Sequence, residues 1–155
     1  MALVCESPSI LRPIAQNAQS RMDTILSANY GSTELHGVLS PNDTLARAIL
    51  ESVRAAGKPL PVVTGQDSEV ESVRSIVAGE QYMTIYKDTR ALVAAAVEMV
   101  KTLQAGNEPE VNDTESYDNG VLVVPSFLLD PVVVTSENAA QAYADNADLL
   151  AATEG

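Results

Sequence analysis

Leu60-Pro61-Val62-Val63-Thr64-Gly65-Gln66-Asp67-Ser68-Glu69-Val70-Glu71 is the stretch on which the fold turns. Leu60 to Thr64 is an unbroken apolar strand pattern with two adjacent valines. Continuous rather than alternating apolarity predicts a strand covered on both faces, as in a parallel sheet. Gly65-Gln66-Asp67 then turns the chain, and Ser68-Glu69-Val70-Glu71 fits a capping box. In such a box the Ser68 hydroxyl accepts from the N–H three residues on, and Glu71 reaches back. The helix that follows turns Val70, Val73, Ile76 and Val77 inward and stops at Gly79.

Working outward, the same order repeats on both sides. Ala15 to Ser27 carries Ala18, Met22, Ile25 and Leu26 at helical spacing. A turn at Gly31-Ser32 leads to a short strand, His36 to Ser40. Pro41-Asn42-Asp43 opens a helix with Leu45, Ile49, Leu50 and Val53 on one face, ended by Gly57-Lys58-Pro59. Downstream, Tyr82 to Tyr86 is a strand rich in β-branched and aromatic residues. Asp88-Thr89 caps a long helix, Arg90 to Gln104, striped by Leu92, Val93, Ala96, Val97, Val100 and Leu103 and stopped by Gly106-Asn107-Glu108-Pro109. This alternation predicts an α/β fold, a doubly wound parallel sheet with right-handed crossovers. Val38–Ser40, Leu60–Thr64 and Tyr82–Tyr86 are expected parallel in one sheet, with helices on both faces. Beyond it, residues 108–120 form a polar, acidic loop, Val121–Pro125 and Val132–Thr135 are extended, and one last alanine-rich helix spans about Ser136 to Ala151.

The composition narrows the function. In 155 residues, 46% are hydrophobic and 19% charged, enough for a sizeable core in one domain or part of a larger one. A net charge of −12 repels phosphate backbones, so nucleic acid and anionic membrane surfaces are disfavoured partners. The one cysteine, Cys5, excludes an intrachain disulfide, and the one histidine, His36, excludes a multi-histidine metal site. The opening Met-Ala-Leu-Val-Cys-Glu-Ser-Pro has no basic n-region and no apolar h-region, so no signal peptide is expected in this chain.

Enzyme signatures are missing from the sequence. It has no G-x-x-x-x-G-K-[ST] loop, no G-x-G-x-x-G loop and no G-x-S-x-G elbow. His36 falls at the start of a strand, where a turn or edge role fits better than catalysis, and Cys5 has no activating neighbour. Asn112 to Gly120 is an acidic stretch whose calcium-loop register is broken at Tyr117, so a solvated Asp-Asn-Gly turn is expected there. No catalytic residue, metal or cofactor is expected.

Ligands of open α/β sheets gather at the carboxyl ends of the strands. Three polar side chains stand there: Asn42, Asp67 and Lys87. An amide that donates and accepts, a carboxylate that accepts from two hydroxyls and an ammonium with three donors suit a neutral polyhydroxy ligand. Each hydroxyl left unpaired in such a site would cost about 1–3 kcal/mol. Asn42 and Asp43 equally suit capping the helix that begins there, Asp67 the same beside Ser68, and Lys87 a solvated surface.

At these residues a family becomes recognisable. Ser27-Ala28-Asn29-Tyr30, Val38-Leu39-Ser40-Pro41-Asn42-Asp43 and Pro61-Val62-Val63-Thr64-Gly65-Gln66-Asp67 resemble the periplasmic sugar-binding proteins of ABC transporters. Ile76 to Lys87, Asn112-Asp113-Thr114 and Val124-Pro125-Ser126 extend the likeness to the xylose- and multiple-sugar-binding branch of type I periplasmic binding proteins. It covers the chain from about Leu11 to Val134. The resemblance implies that the "P-N-D" asparagine, Asn42, and the "G-x-D" aspartate, Asp67, hydrogen-bond a pyranose, with Lys87 adding a contact from the next strand end.

Two features depart from the family pattern. Full members are longer, with two Rossmann-like lobes closing over the sugar, so the resemblance implies an incomplete, carboxyl-terminal portion. Residues 11–87 would belong to the carboxyl-terminal lobe, 88–120 to the other lobe, and 121–155 to the return crossing and terminal helix. Sugar sites also stack the ring on aromatic side chains, yet this chain has no tryptophan and 4% aromatics. Pro13, after Arg12, stands where the branch often has tryptophan.

The expected function is therefore monosaccharide binding, without catalysis, for an ABC importer, with a periplasmic location and the transporter's membrane subunits as partners. Hinges are expected near Lys87-Asp88 and Val121 to Val124. Apolar faces of Arg90–Gln104 and Val121–Val124 lacking their usual cover predict a homo-oligomer. The alternative is the effector-sensing domain of a sugar-responsive transcription regulator, which shares this fold.

Overall fold

The computed structural model describes residues 15–154; Cys5, Arg12 and Pro13 lie outside the described residues. In chain order the elements are α1 (Ala15–Asn29), β1 (Gly37–Val38), α2 (Asp43–Ala55), β2 (Val62–Val63), α3 (Val70–Val77), β3 (Thr84–Tyr86), α4 (Thr89–Gln104), β4 (Val132–Val134), α5 (Ala139–Ala142) and α6 (Ala147–Ala151). They divide into two compact units, Met1–Tyr86 with Val132–Gly155, and Lys87–Pro131.

The first unit has two hydrophobic clusters. Met22 and Leu26 of α1 pack with Ala46, Ile49, Leu50 and Val53 of α2 over Val38 and Val63. Met22, Leu26, Ile49, Leu50 and Val53 are apolar positions that the helical spacing selects; Ala46 joins the cluster where the spacing placed Leu45. Beneath them β1 and β2 pair in parallel, Gly37 with Val62 and Val38 with Val63. One face of β2 is covered and the other is open: Val63 is fully buried, Val62 is 51% exposed. Cover on both faces, which the unbroken apolar run predicts, is not what β2 has.

The second cluster joins Val73 of α3 to Val134, Ala139, Tyr143, Leu149 and Ala152. Here the sheet differs from the single parallel sheet expected. β3 pairs antiparallel with β4, Thr84 opposite Val134 and Tyr86 opposite Val132. Between β2 and β3, the Tyr82 N–H donates to the Val63 carbonyl at 3.0 Å, but no ladder follows. Past β2 the chain turns, with Asp67 and Ser68 at φ values of 96° and 52°. From this turn the Asp67 N–H bonds to the Ile85 carbonyl of β3.

Two local expectations also change. Ser68 does not cap α3: the residue before the helix is Glu69, with no side-chain cap bond. Because Ser68 is left-handed, its hydroxyl points elsewhere and accepts from Tyr143 Oη at 2.9 Å. The last helix is two short ones, interrupted where Asn146 caps α6 by accepting from the Leu149 N–H. An asparagine two residues before an aspartate is a helix start, and an alanine-rich run hides it.

In the second unit, α4 begins on Asp88, whose carboxylate accepts from the Arg90 N–H as expected of a cap. Its apolar stripe is uncovered: no residue of α4 is buried, and Val93 and Leu103 are 62% and 59% exposed. Val121–Val124 forms no strand. It carries one isolated bridge, Asp118 with Val123, and Val121 is 87% exposed. The acidic loop spends its carboxylates on its own backbone, Asp113 accepting from the Glu115 and Ser116 N–H groups and Asp118 from Gly120. His36 is a solvent-facing residue before β1.

Candidate functional site

The carboxyl ends of β1 and β2 are stitched together by one hydroxyl. Thr64 Oγ1 accepts from the Ser40 N–H at 3.1 Å, and Ser40 Oγ donates to the Asn42 carbonyl. Asn42 therefore leaves β1 in a fixed direction. Its Oδ1 caps α2 by accepting from the Leu45 N–H at 3.0 Å, so what it offers a ligand is the Nδ2 donor. The adjoining loop is tied in by the Asp43 N–H, which donates to the Gln66 carbonyl. Asp67 follows on that loop, exposed and left-handed. Thus Asn42 and Asp67 stand on neighbouring loops of one unit. Lys87 is the first residue of the other unit, directly before the cap of α4.

Below the two loops lies a polar cluster that sequence reasoning missed. Asp43 is fully buried. Its Oδ1 accepts from Gln81 Nε2, and its Oδ2 from Thr84 Oγ1 and the Glu69 N–H, each at 2.9 Å. Burial pushes the Asp43 carboxyl above its usual range, against the lowering effect of the Gln81, Glu69 and Thr84 donors. Gly65 belongs to the same cluster, because a Cβ there would run into the Asp43 carboxylate and the Gln81 amide. An aspartate beside an N-cap asparagine looks like surface. Its donors lie 26 to 41 residues away, beyond any local pattern.

The outer side of α2 and α3 is held by charge. Glu69 accepts from Thr44 Oγ1 at 2.6 Å and pairs with Arg47 at 2.6 Å. Partial burial works to raise the Glu69 carboxyl, but the Thr44 hydroxyl and the Arg47 guanidinium together bring it below its usual value. Tyr143 meets Tyr86 edge-to-face at 5.1 Å, and burial pushes its hydroxyl up to about 12.

Asp88, at the start of α4, gives a direct pH test. The Arg90 side chain holds its carboxyl down, from the usual 3.8 to about 2. A depressed carboxylate contributes stability that is complete above 3.8 and is lost as pH falls through about 2. Carboxyl-carbon NMR is expected to show an Asp88 midpoint near 2, moving back toward 3.8 in Arg90→Ala. An unmoved midpoint in that variant would assign the depression to the helix terminus rather than to Arg90.

Comparisons with known proteins identify the family. A family model, the periplasmic binding protein domain, matches residues 10–108. The chain is similar to the multiple sugar-binding periplasmic receptor ChvE of Rhizobium radiobacter, 54% identical over 78% of this chain and 36% of that protein. It is 33% identical to the D-xylose-binding periplasmic protein of Escherichia coli K12, over 81% of this chain and 37% of that one. Among solved structures, an ABC transporter solute-binding protein from Clostridium phytofermentans with bound β-D-glucose matches at a TM-score of 0.80 and 39% identity, covering 88% of this chain and 44% of that one. The chain thus spans well under half the length of these relatives.

Proposed function

Because the chain belongs to the periplasmic binding protein family, we propose that it carries most of one sugar-contacting lobe of a monosaccharide-binding protein serving an ABC importer. The observation that carries this reading is the pair Asn42 and Asp67 on adjoining strand-end loops, anchored from below by Asp43. An amide donor beside a carboxylate acceptor matches the paired needs of vicinal hydroxyls. Lys87 is the third contact, assigned by its place in the family motif. The proposed role is binding without catalysis; binding is what the names of the relatives state for those proteins. Their names also support a periplasmic location, and the description of the Clostridium phytofermentans protein as an ABC transporter solute-binding protein supports a transporter's membrane subunits as partners. They favour this reading over a transcription regulator's sensing domain.

The division of the chain at Tyr86–Lys87 and Pro131–Val132 supports placing 88–120 in a second lobe. It favours a return crossing at Pro131–Val132 over Val121–Val124, and the proposed hinges of a closing protein are these two passages.

Titration with D-glucose tests the reading directly. In amide-resolved NMR of the chain, shifts are expected at Asn42, Asp67 and their neighbours, and none along α1. At about 0.5 M D-glucose, where binding weaker than millimolar still moves amides, shifts confined to residues far from β1 and β2, or none at all, would defeat it. The uncovered stripe of α4 and Val121–Val124 also support self-association of this chain. Light scattering is expected to give a dimer or larger species, and a monomer at all concentrations would reject that part.

A further inference from the structure

Asp67 is an aspartate in backbone territory that favours glycine, at φ 96°, and the next residue, Ser68, is left-handed too. Two successive residues do not hold such a conformation unless their surroundings fix it. The N–H groups of Asp67, Ser68 and Glu69 are all bonded, and the groups that accept from them converge. The Asp67 N–H bonds to the Ile85 carbonyl at 3.0 Å, the Ser68 N–H to Thr84 Oγ1 at 3.2 Å, and the Glu69 N–H to Asp43 Oδ2 at 2.9 Å. The Thr84 hydroxyl, having accepted from Ser68, donates its proton to Asp43 Oδ2. A hydroxyl has one proton, so with Asp43 as acceptor its lone pairs are turned toward Ser68. Tyr143 Oη holds the Ser68 side chain from the opposite end.

We propose that Asp43, acting through Thr84 and the Glu69 N–H, is a positioning residue. It holds the Asp67 turn in the left-handed shape that presents the Asp67 carboxylate at the strand ends. Asp43 and Thr84 are both fully buried. The same carboxylate belongs to the first residue of α2, next to the cap Asn42. One buried group thereby sets the spacing between the amide donor and the carboxylate acceptor of the site. The value of this spacing for sugar recognition rests on the function proposed above; the clamp itself does not.

Thr84→Val keeps the shape and removes the hydroxyl, Thr84→Ser keeps the hydroxyl, and Asp43→Asn removes the charge and one acceptor. The readout is hydrogen exchange at the Asp67 amide, whose own partner is a backbone carbonyl that none of these changes removes. Thr84→Val and Asp43→Asn are expected to speed its exchange by roughly tenfold or more, while Thr84→Ser stays at the wild-type rate. Ile49, Leu50 and Val53 amides in α2 should lose less protection than the Asp67 amide in Thr84→Val and Asp43→Asn, and none in Thr84→Ser. An unchanged Asp67 rate in Thr84→Val overturns the proposal. So does equal acceleration at Ile49, Leu50 and Val53, which would make the cluster a contributor to general stability only. D-glucose shifts at Asp67 should shrink in Thr84→Val and return in Thr84→Ser. If glucose moves no amide of the wild-type chain, the sugar-binding reading fails, and the exchange rates still decide the clamp.

Discussion

Joined to the segment that precedes the matched region in a full-length relative, this chain is expected to bind a monosaccharide tightly, and Asp67→Ala in that protein to lose about a hundredfold or more in affinity. Hydrogen bonds to a charged group contribute about 1.5–3 kcal/mol each. A carboxylate accepting from two sugar hydroxyls therefore controls roughly 3–6 kcal/mol in a closed, water-free site. The chain alone is a half-site and should behave very differently. Three contacts at an open edge, where water competes for every donor and screens the charges, contribute about 0.5–1.5 kcal/mol each and fall short of the roughly 4 kcal/mol of even millimolar affinity once association entropy is charged against them. Stacking is missing as well, because the chain has no tryptophan and few other aromatics to lie against the ring. Calorimetry on glucose, galactose, xylose and arabinose separates the outcomes. Micromolar binding by the 155-residue chain would reject the half-site account. Tight binding by the joined protein carrying Asp67→Ala would remove Asp67 from the site.

Gly65→Ala should be among the most damaging single substitutions in the chain. A methyl group there collides with the Asp43 carboxylate and the Gln81 amide. Neither neighbour can retreat cheaply, since Asp43 is fully buried and Gln81 is 1% exposed. Overpacking alone costs about 1–3 kcal/mol. Parting a buried carboxylate from a donor adds about 1–3 kcal/mol more. The sum, about 2–6 kcal/mol, is a large part of the roughly 5–15 kcal/mol that a domain has. Chemical denaturation should show the midpoint falling steeply. Gly31→Ala is the control, because nothing lies within 4 Å of its added carbon. A Gly65→Ala midpoint equal to that of the control would mean that the cluster yields.

How far the sequence could be read depended on the reach of each signal. The starts of α2 and α4 were legible because caps are local: Asn42 and Asp88 each accept from an N–H within three residues. The apolar faces of α1 and α2 followed from spacing, and Met22, Leu26, Ile49 and Leu50 are indeed the core. Ser68 misled because its hydroxyl is drawn to Tyr143, 75 residues away, which no four-residue motif can register. The pairing of β3 with β4 was equally out of reach, since 45 residues of another unit separate Tyr86 from Val132. Asn42 and Asp67 were visible by their places at strand ends. Asp43 was hidden because its meaning comes from Gln81 and Thr84.

The discontinuity of the first unit bears on how the chain is made. A ribosome delivers residues in order, and Val73 and Ile76 emerge long before Val134, Tyr143 and Leu149, on which the second cluster depends. Until those last residues are free, β3 has no ladder partner and Val73 no cluster to join. The α1–α2 cluster can form early from local contacts, whereas the second must wait until Val134 to Ala152 have left the ribosome. Folding should therefore proceed in two stages, with the nascent chain open to chaperone capture and proteolysis between them.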